Sequence, residues 1–476
     1  MIADGETTSV AVTEAVLAHT RAVDAAFNAF AHIAEASALE AAHAADAALQ
    51  AGAAVGPLHG VPYSVKDLLD VAGMETGFGS ELMRGNIASH DAVAVQRLRA
   101  AGAVCIGKTT TPEFAGSVLT ESIRHGVTCN PWDPLHTSGG SSGGAGVAVA
   151  TGCAPIAVAT DGAGSARIPA SCCGVLGLKP TLGRIPHASA PDLFANFTHI
   201  GLMARSLSDL AVMLSVASGE DVGDPWSTGR IWRTVSTPDA SSPATNRIAE
   251  LSAWYFPLMG NPRLAVDIAD VCGVGVDRLR RVGLDIAENN TRLDWGIGLS
   301  KTIMRALMSA RMARYGEQER ARMGRGMRQA ILDGDAIEKA ELRSAPIRRS
   351  ELYRLVQQLL SQRPLILSPV LSAPPPPADF DPVSAFAVDG EDAGDLRAGW
   401  FTYPTPFNLT GHPAISVPIG FDSSGLPVAL QAVAGWGQEQ LLLDLAACLQ
   451  QSFDWEAHWP SSVSALTSSA ARPSAA

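Results

Sequence analysis

Helical and extended segments alternate along this sequence of 476 residues, and the alternation predicts an α/β fold in which helices cover a sheet. Three observations carry the expectation. Residues 8–50 are alanine-rich, with apolar positions at helical spacing and almost no Gly or Pro, which reads as two covering helices. Residues 59–73 then change period, because Val61, Tyr63 and Val65 alternate as in a strand. Residues 137–179 place two glycine-rich turns, GGSSGG (139–144) and TDGAGSAR (160–167), at the ends of an apolar segment of small and β-branched residues. Glycine is used where backbone approaches something closely or takes positive φ, and clustered N–H groups in such turns attract negative charge. Each turn also holds a serine, and so a candidate nucleophile.

With 47% hydrophobic and 17% charged residues the chain buries a large core, and its length allows two or three domains without choosing among them. A net charge of -12 argues against nucleic acid, whose phosphates need a concentrated basic surface. The N-terminal residues lack the basic-then-apolar pattern of a signal peptide, and no run of about 18 apolar residues is long enough for a bilayer. The expectation is a cytoplasmic protein with no membrane partner. Seven cysteines, Cys105, Cys129, Cys153, Cys172, Cys173, Cys272 and Cys448, are odd in number and show no CxxC spacing. Neither a disulfide framework nor a zinc site is expected, and they read as small core residues.

The strand at residues 61–65 carries Lys66 toward the interior. The chain has only five lysines against thirty arginines, so lysine is hardly used here as a solubilising residue. Two readings stand: an ion pair with Asp67 or Asp70, or a desolvated amine whose pKa falls toward neutrality so that it serves as a base. Residues 91–101 read as a helix and 103–106 as a strand. That order excludes a phosphate loop, although Gly102, Gly107, Lys108 and Thr109 match its letters, because such a loop must follow a strand. Gly139, Ser141 and Gly143 likewise satisfy a nucleophile-elbow pattern, but a proline-containing loop precedes them where the elbow needs a strand.

Further along, a loop leads to a helix near residues 206–217. Residues 219–260 read as irregular, and 295–360 as helical with Ile303, Met304, Leu307, Met308 and Met312 on one face. Core packing is the plainer reading of that stripe, and an adaptable wall for an apolar substrate is the alternative. Residues 364–377 read as a buried strand entering a proline loop. Residues 407–434 read as turn, strand, hairpin and strand, and 439–451 as a closing helix. The segment 461–476 is of low complexity and is expected to be disordered.

GVPYSVKD (60–67), GGSSGG, TDGAGSARIPASCCGVLGLKPT (160–181) and PFNLTGHPAISVP (406–418) together resemble the amidase signature family, in order and at plausible spacing over roughly residues 8–455. The resemblance implies one α/β domain over residues 1–460 around a mixed, mostly parallel twisted sheet with helices on both faces. Its core would span about 55–218 and 362–455, with a helical substrate-side insertion at about 219–361. It also implies a Ser-Ser-Lys triad: Ser165 as nucleophile, Ser141 as bridge, Lys66 as base and Ser142 in support. The oxyanion hole would be formed by the N–H groups of Gly162, Ala163, Gly164 and Ser165, and the Gly140–Ser141 peptide would be cis. Two departures from the pattern are Ala163, where glycine is common, and Ala166, where a branched aliphatic is usual. Asp161 and Arg167 read as a brace for the loop, with direct contact to substrate as the other reading.

The residues support these roles in their own terms. A serine hydroxyl is a poor nucleophile until a nearby base takes its proton, and neither turn contains a histidine; the nearest is His136. A neutral lysine relaying through a second serine does the same work. The expectation is a hydrolase of small-molecule carboxylic amides, with esters or carbamates open to the same acyl-enzyme chemistry. It would need no cofactor and no metal, and would act as monomer or homodimer. The amide-hydrolysing subunit of a glutamine-dependent transamidation complex is the alternative, and a non-catalytic binding protein a third reading. Trp254, Phe256, Trp295 and the methionine face suggest an apolar or aromatic substrate, lined by segments 187–199, 219–260 and 295–325.

Overall fold

A computed structural model describes residues 1–238 and 247–463. Part of the segment read as irregular (239–246) and most of the tail expected to be disordered (464–476) lie outside the described residues. Helix α1 (Ser9–Phe27) starts at Thr8, whose side chain accepts from Ala11 N. It buries Thr13, Leu17, Thr20, Val23 and Phe27 at helical spacing. Helix α2 (Glu35–Gln50) buries only Ala38, Ala42 and Ala45, small residues that let it pack closely on α1. Between them runs a strand the sequence did not disclose, β1 (Phe30–Ile33), too short to stand out from its alanine-rich flanks.

The remaining strands of the main sheet are β2 (Pro62–Lys66), β3 (Val104–Thr109), β4 (Ile156–Asp161), β5 (Leu176–Lys179), β6 (His199–Ala204), β7 (Ser252–Tyr255), β8 (Asp285–Glu288), β9 (Leu365–Pro369), β10 (Ala414–Phe421) and β11 (Pro427–Ala434). The 11-stranded sheet is mixed, in the order β1-β3-β2-β4-β6-β5-β10-β11-β9-β7-β8. Parallel pairs form the runs β3-β2-β4 and β9-β7-β8. Antiparallel pairs join β1 to β3 and carry the middle of the sheet from β4 through β6, β5, β10 and β11 to β9. Every residue of β2, β3 and β4 is buried, so the alternation at Val61–Val65 marks two covered faces rather than one wet face.

Helix α3 (Val93–Ala100) leads into β3, which contains Gly107, Lys108 and Thr109 and so makes no phosphate loop. Helices α4 (Gly143–Ala150) and α5 (Arg167–Cys173) follow the two glycine-rich turns and pack on each other, and α6 (Leu207–Ala217) packs beside α3. Glycine opens α4 for a steric reason: a Cβ on Gly143 would collide with the Ser138 and Thr120 side chains, and one on Gly144 with Ala29 O and Thr110. The segment 219–361 is more than irregular coil and helix, because β7 and β8, joined by α7 (Val266–Val282), extend one edge of the sheet. Helices α8 (Ile297–Met312), α9 (Arg325–Asp335) and α10 (Lys339–Gln362) make up the helical part expected there. Helix α11 (Glu439–Gln450) closes the body.

Candidate active site

The parallel pairing of β2 with β4 sets Val65 opposite Val158, so the carboxyl ends of these neighbours bring Lys66 beside Thr160. In sheets of this kind the crevice beyond the strand ends is where ligands bind. The GGSSGG turn, with a cis Gly140–Ser141 peptide, reaches the same point just before α4. The Lys66 ammonium nitrogen lies 2.7 Å from Ser141 Oγ, 2.8 Å from Ser142 Oγ and 3.0 Å from Thr160 Oγ1. Thr160, the third partner, was not singled out by sequence, where it is one more small residue before the TDGAGSAR turn.

Lys66 is completely buried, and its surroundings decide between its two readings. Asp67 pairs with Lys108 at 3.2 Å, and Asp70 accepts from Thr76 Oγ1. Lys66 is left with neutral hydroxyls. Desolvation therefore pushes its pKa well below the ordinary lysine value, opposed only by the more distant charge of Asp161. The other candidate base, His136, pairs with Asp133 at 2.9 Å and is absent from the cavity lining described below.

The second turn is held by a buried polar cluster. Arg167 donates through Nε and Nη2 to Asp161 at 2.9 Å each, through Nη1 to Pro404 O (2.9 Å) and Gln431 Oε1 (2.6 Å), and through Nη2 to Asn408 Oδ1 (2.6 Å). These five bonds occupy all of its donors, which leaves none for a substrate. Asn408 Nδ2 in turn donates to Asp161 O and Oδ1 at 2.7 and 2.9 Å. Burial alone would raise the Asp161 pKa, but the charge and hydrogen bonds of Arg167, with Lys179 and Asn408, outweigh it and hold the carboxylate ionised. Asn408 and Gln431 escaped sequence reading because they lie more than 200 residues from their partner.

One expected donor is already engaged. Gly164 N–H bonds Asp161 Oδ1 at 2.7 Å, so it shapes the turn instead of facing an oxyanion. The N–H groups of Gly162, Ala163 and Ser165 have no intramolecular acceptor among the described residues. Gly164 needs to be glycine: its φ is +109° and a Cβ would strike Pro404. Ala166 is fully buried, and its methyl sits where Gly201 leaves room for it, so that departure concerns packing over β6. Ser142 N donates to Ser165 O at 3.2 Å, which ties the two turns together.

Ser141, Thr160, Gly162 and Ser165 line one cavity with apolar walls from Leu68, Phe78, Phe114, Phe197, Met304, Leu307 and Met308. Ser165 is 8% exposed, whereas Ser141 and Ser142 are at 0%. Ser165 is thus the more accessible hydroxyl, and Ser141 lines the same cavity while Lys66, behind it, does not. A second cavity, bordered by Lys301, Arg305, Asp333, Asp395 and Arg397, also reaches Ala163 and Ser165. Segments 187–199 and 295–325 supply walls as expected, but the first cavity takes none from 219–260. Trp254, Phe256 and Trp295 pack in a buried cluster instead; Phe256 and Trp295 meet edge to face at 5.1 Å, and Trp254 Nε1 donates to Leu359 O. Phe78, Phe114 and Phe197 are the aromatic wall; Phe78 and Phe114, with ring centroids 5.9 Å apart, both sit at positive φ in segments without periodicity. The methionine stripe does both jobs weighed for it: Met304, Leu307 and Met308 line the cavity, while Met312 is core. Among the described residues no group of three or more His, Cys, Asp or Glu is placed to hold a metal, and no helix is long and apolar enough to cross a membrane.

Residues 11–443 match the family model described as Amidase. A glutamyl-tRNA(Gln) amidotransferase subunit from Chloroflexus aurantiacus is 33% identical, with 96% of each chain covered. The acylamidase of Rhodococcus erythropolis is 33% identical over 85% of this chain and 84% of its own. Among solved structures, 6-aminohexanoate cyclic dimer hydrolase superposes with a TM-score of 0.80 at 30% identity, covering 97% of both chains.

Proposed function

We propose, starting from the fact that the chain belongs to the amidase family and is an amide hydrolase, that it works through a relay from Ser165 through Ser141 to Lys66. Neutral Lys66 accepts the Ser141 proton while Ser141 takes the proton of Ser165, whose oxygen attacks the amide carbonyl. The N–H groups of Gly162, Ala163 and Ser165 hold the oxyanion. Collapse of the tetrahedral intermediate breaks the C–N bond, and the leaving amine takes its proton back along the relay. Water then attacks the acyl-enzyme with the same groups in the same order. Ser142 and Thr160 aim the lysine at Ser141. Esters and carbamates are open to the same steps, and the apolar cavity walls favour apolar or aromatic groups.

The observation that carries this reading is the buried Lys66 amine at 2.7 Å from Ser141 Oγ, with hydroxyls rather than a carboxylate around it. Ser165→Ala deletes only the attacking oxygen, so turnover should vanish while thermal unfolding stays near that of the parent. A fluorophosphonate should label Ser165; a label on Ser141 or Ser142 instead would overturn the assignment. The likeness to a glutamyl-tRNA(Gln) amidotransferase chain favours a second reading, an amide-hydrolysing chain that serves a partner. Hydrolysis of aryl amides by the isolated protein separates the two.

A further inference from the structure

Helix α8 lays Met304, Leu307, Met308 and Arg311 along the first cavity, positions i, i+3, i+4 and i+7 of one helical face. Three of the four are apolar and the last is a guanidinium. Met304 also borders the second cavity, which reaches Ser165, so Arg311 stands at the far end of the stripe, about 10 Å on along the helix axis. Its side chain leans back toward the helix N-terminus and therefore toward the serine.

Arg311 has no hydrogen-bond acceptor and no carboxylate within ion-pair distance among the described residues. The groups that bear on it electrostatically are Arg314 and Tyr315, and these two are engaged with each other, Arg314 Nη2 donating to the Tyr315 hydroxyl at 3.0 Å. His187 lines the same cavity and is held neutral, its pKa lowered to about 4 by burial first and by the Arg311 charge second. It supplies no counter-charge. The second cavity differs. There Lys301 pairs with Asp395 at 3.0 Å and Arg305 with Asp333 at 3.5 Å, and the remaining cation, Arg397, has no carboxylate partner among the described residues but lies over the Phe401 ring at 5.0 Å and donates to Ser300 Oγ at 3.5 Å. Arg311 is half-buried, and its unpartnered guanidinium is open to the cavity and so available to a ligand anion; a guanidinium fits a carboxylate through two parallel bonds.

We infer that the amide substrate carries a carboxylate at the end of its apolar arm and that Arg311 receives it, with Met304, Leu307, Met308, Phe78 and Phe114 enclosing the arm. The inference rests on the amide-hydrolase reading of the Ser165 site. The helical spacing sets the arm at roughly 5–10 Å from scissile carbonyl to carboxylate, about four to seven methylenes or a ring with a short spacer.

Calorimetry with heptanoate and 1-heptanol tests this without turnover. The parent should bind heptanoate about tenfold tighter or more, the scale of one charge-assisted contact. That ratio should collapse toward one in Arg311→Met, recover in part in Arg311→Lys, and persist in Arg314→Met, which lies off the cavity. Equal binding of the two probes by the parent, or an unchanged ratio in Arg311→Met, overturns the inference. Kinetics keep it separable from the function beneath it. Hexananilide is compared with adipic acid mono-anilide, and N-heptylbenzamide with N-benzoyl-7-aminoheptanoate. A higher kcat/KM for one acid-tailed member, lost in Arg311→Met, supports the assignment. Hydrolysis of both neutral amides with no gain for either acid overturns the carboxylate alone and leaves the amidase reading standing. Failure of all four, with Ser165 unlabelled by fluorophosphonate, removes both.

Discussion

Lys66 on β2 and Lys108 on β3 stand on adjacent parallel strands, with Val65 opposite Lys108 and Lys66 opposite Thr109, and both side chains are completely buried. Lys108 meets Asp67 at 3.2 Å and also donates to Glu75 O and Thr76 Oγ1. Lys66 meets three hydroxyls. A buried lysine beside a carboxylate has a partner for its charge and serves structure, whereas one surrounded by neutral groups is cheapest without its proton. A third buried lysine, Lys179, refines the lesson. Burial first and the charge of Arg167 second lower its pKa too, yet it donates to the carbonyls of Pro180 and His412, which cannot pass on a proton. A base needs both a lowered pKa and a hydroxyl to act through, and Lys66 has both.

Breaking Lys66 should have the largest effect. Lys66→Ala is expected to remove nearly all amidase activity and to harm esters less, because an alkoxide leaves more easily than an amine and depends less on a returned proton. Rates on a matched anilide and aryl ester check this, and equal losses would contradict the proton-return role. Ser141→Ala should lower kcat by about 10²–10⁴, the usual worth of a general acid or base. Slow labelling of Ser165 should survive in that variant. Activity within about tenfold of the parent would remove the relay.

The same comparison predicts the opposite pattern next door. Lys108→Met strands Asp67 and should cost about 3–5 kcal/mol of stability, as breaking a buried pair does, measured by denaturant unfolding. Its rate per folded molecule should change far less than that of Lys66→Ala. A smaller stability effect is expected for Asn408→Ala, about 1–3 kcal/mol for the polar groups it leaves unpaired, with the fluorophosphonate label still on Ser165.

The features that were legible in the sequence are the local ones. Lys66, Ser141 and Ser165 sit in short motifs, and the Val61–Val65 alternation marks the strand at whose end Lys66 meets Ser141. What could not be read depends on contacts between distant segments. β1, β7 and β8 are four-residue strands with no period to display, defined by the neighbours that pair with them. Asn408 and Gln431 matter only because β10, β11 and the preceding turn come back to Arg167. Gly164 was expected to donate to an oxyanion, a role decided by where the Asp161 carboxylate folds. The aromatic wall was assigned to Trp254, Phe256 and Trp295, which tertiary packing took into the core, while Phe78 and Phe114 reached the cavity from irregular loops.

The pH dependence of kcat/KM on a simple anilide, for the parent and for Lys66→Arg, tests directly whether the proton of Ser165 passes to Lys66. In the proposed relay Lys66 is a neutral base, and burial holds its folded pKa below the ordinary value of about 10.4. Activity should therefore be low while the amine is protonated and should rise with pH through a single apparent pKa beneath that value. An arginine stays protonated in this range, so Lys66→Arg should lose the rising limb together with the amidase activity. A Lys66→Arg enzyme that kept substantial activity and the same rising limb would contradict the relay, because the proton would then be going elsewhere.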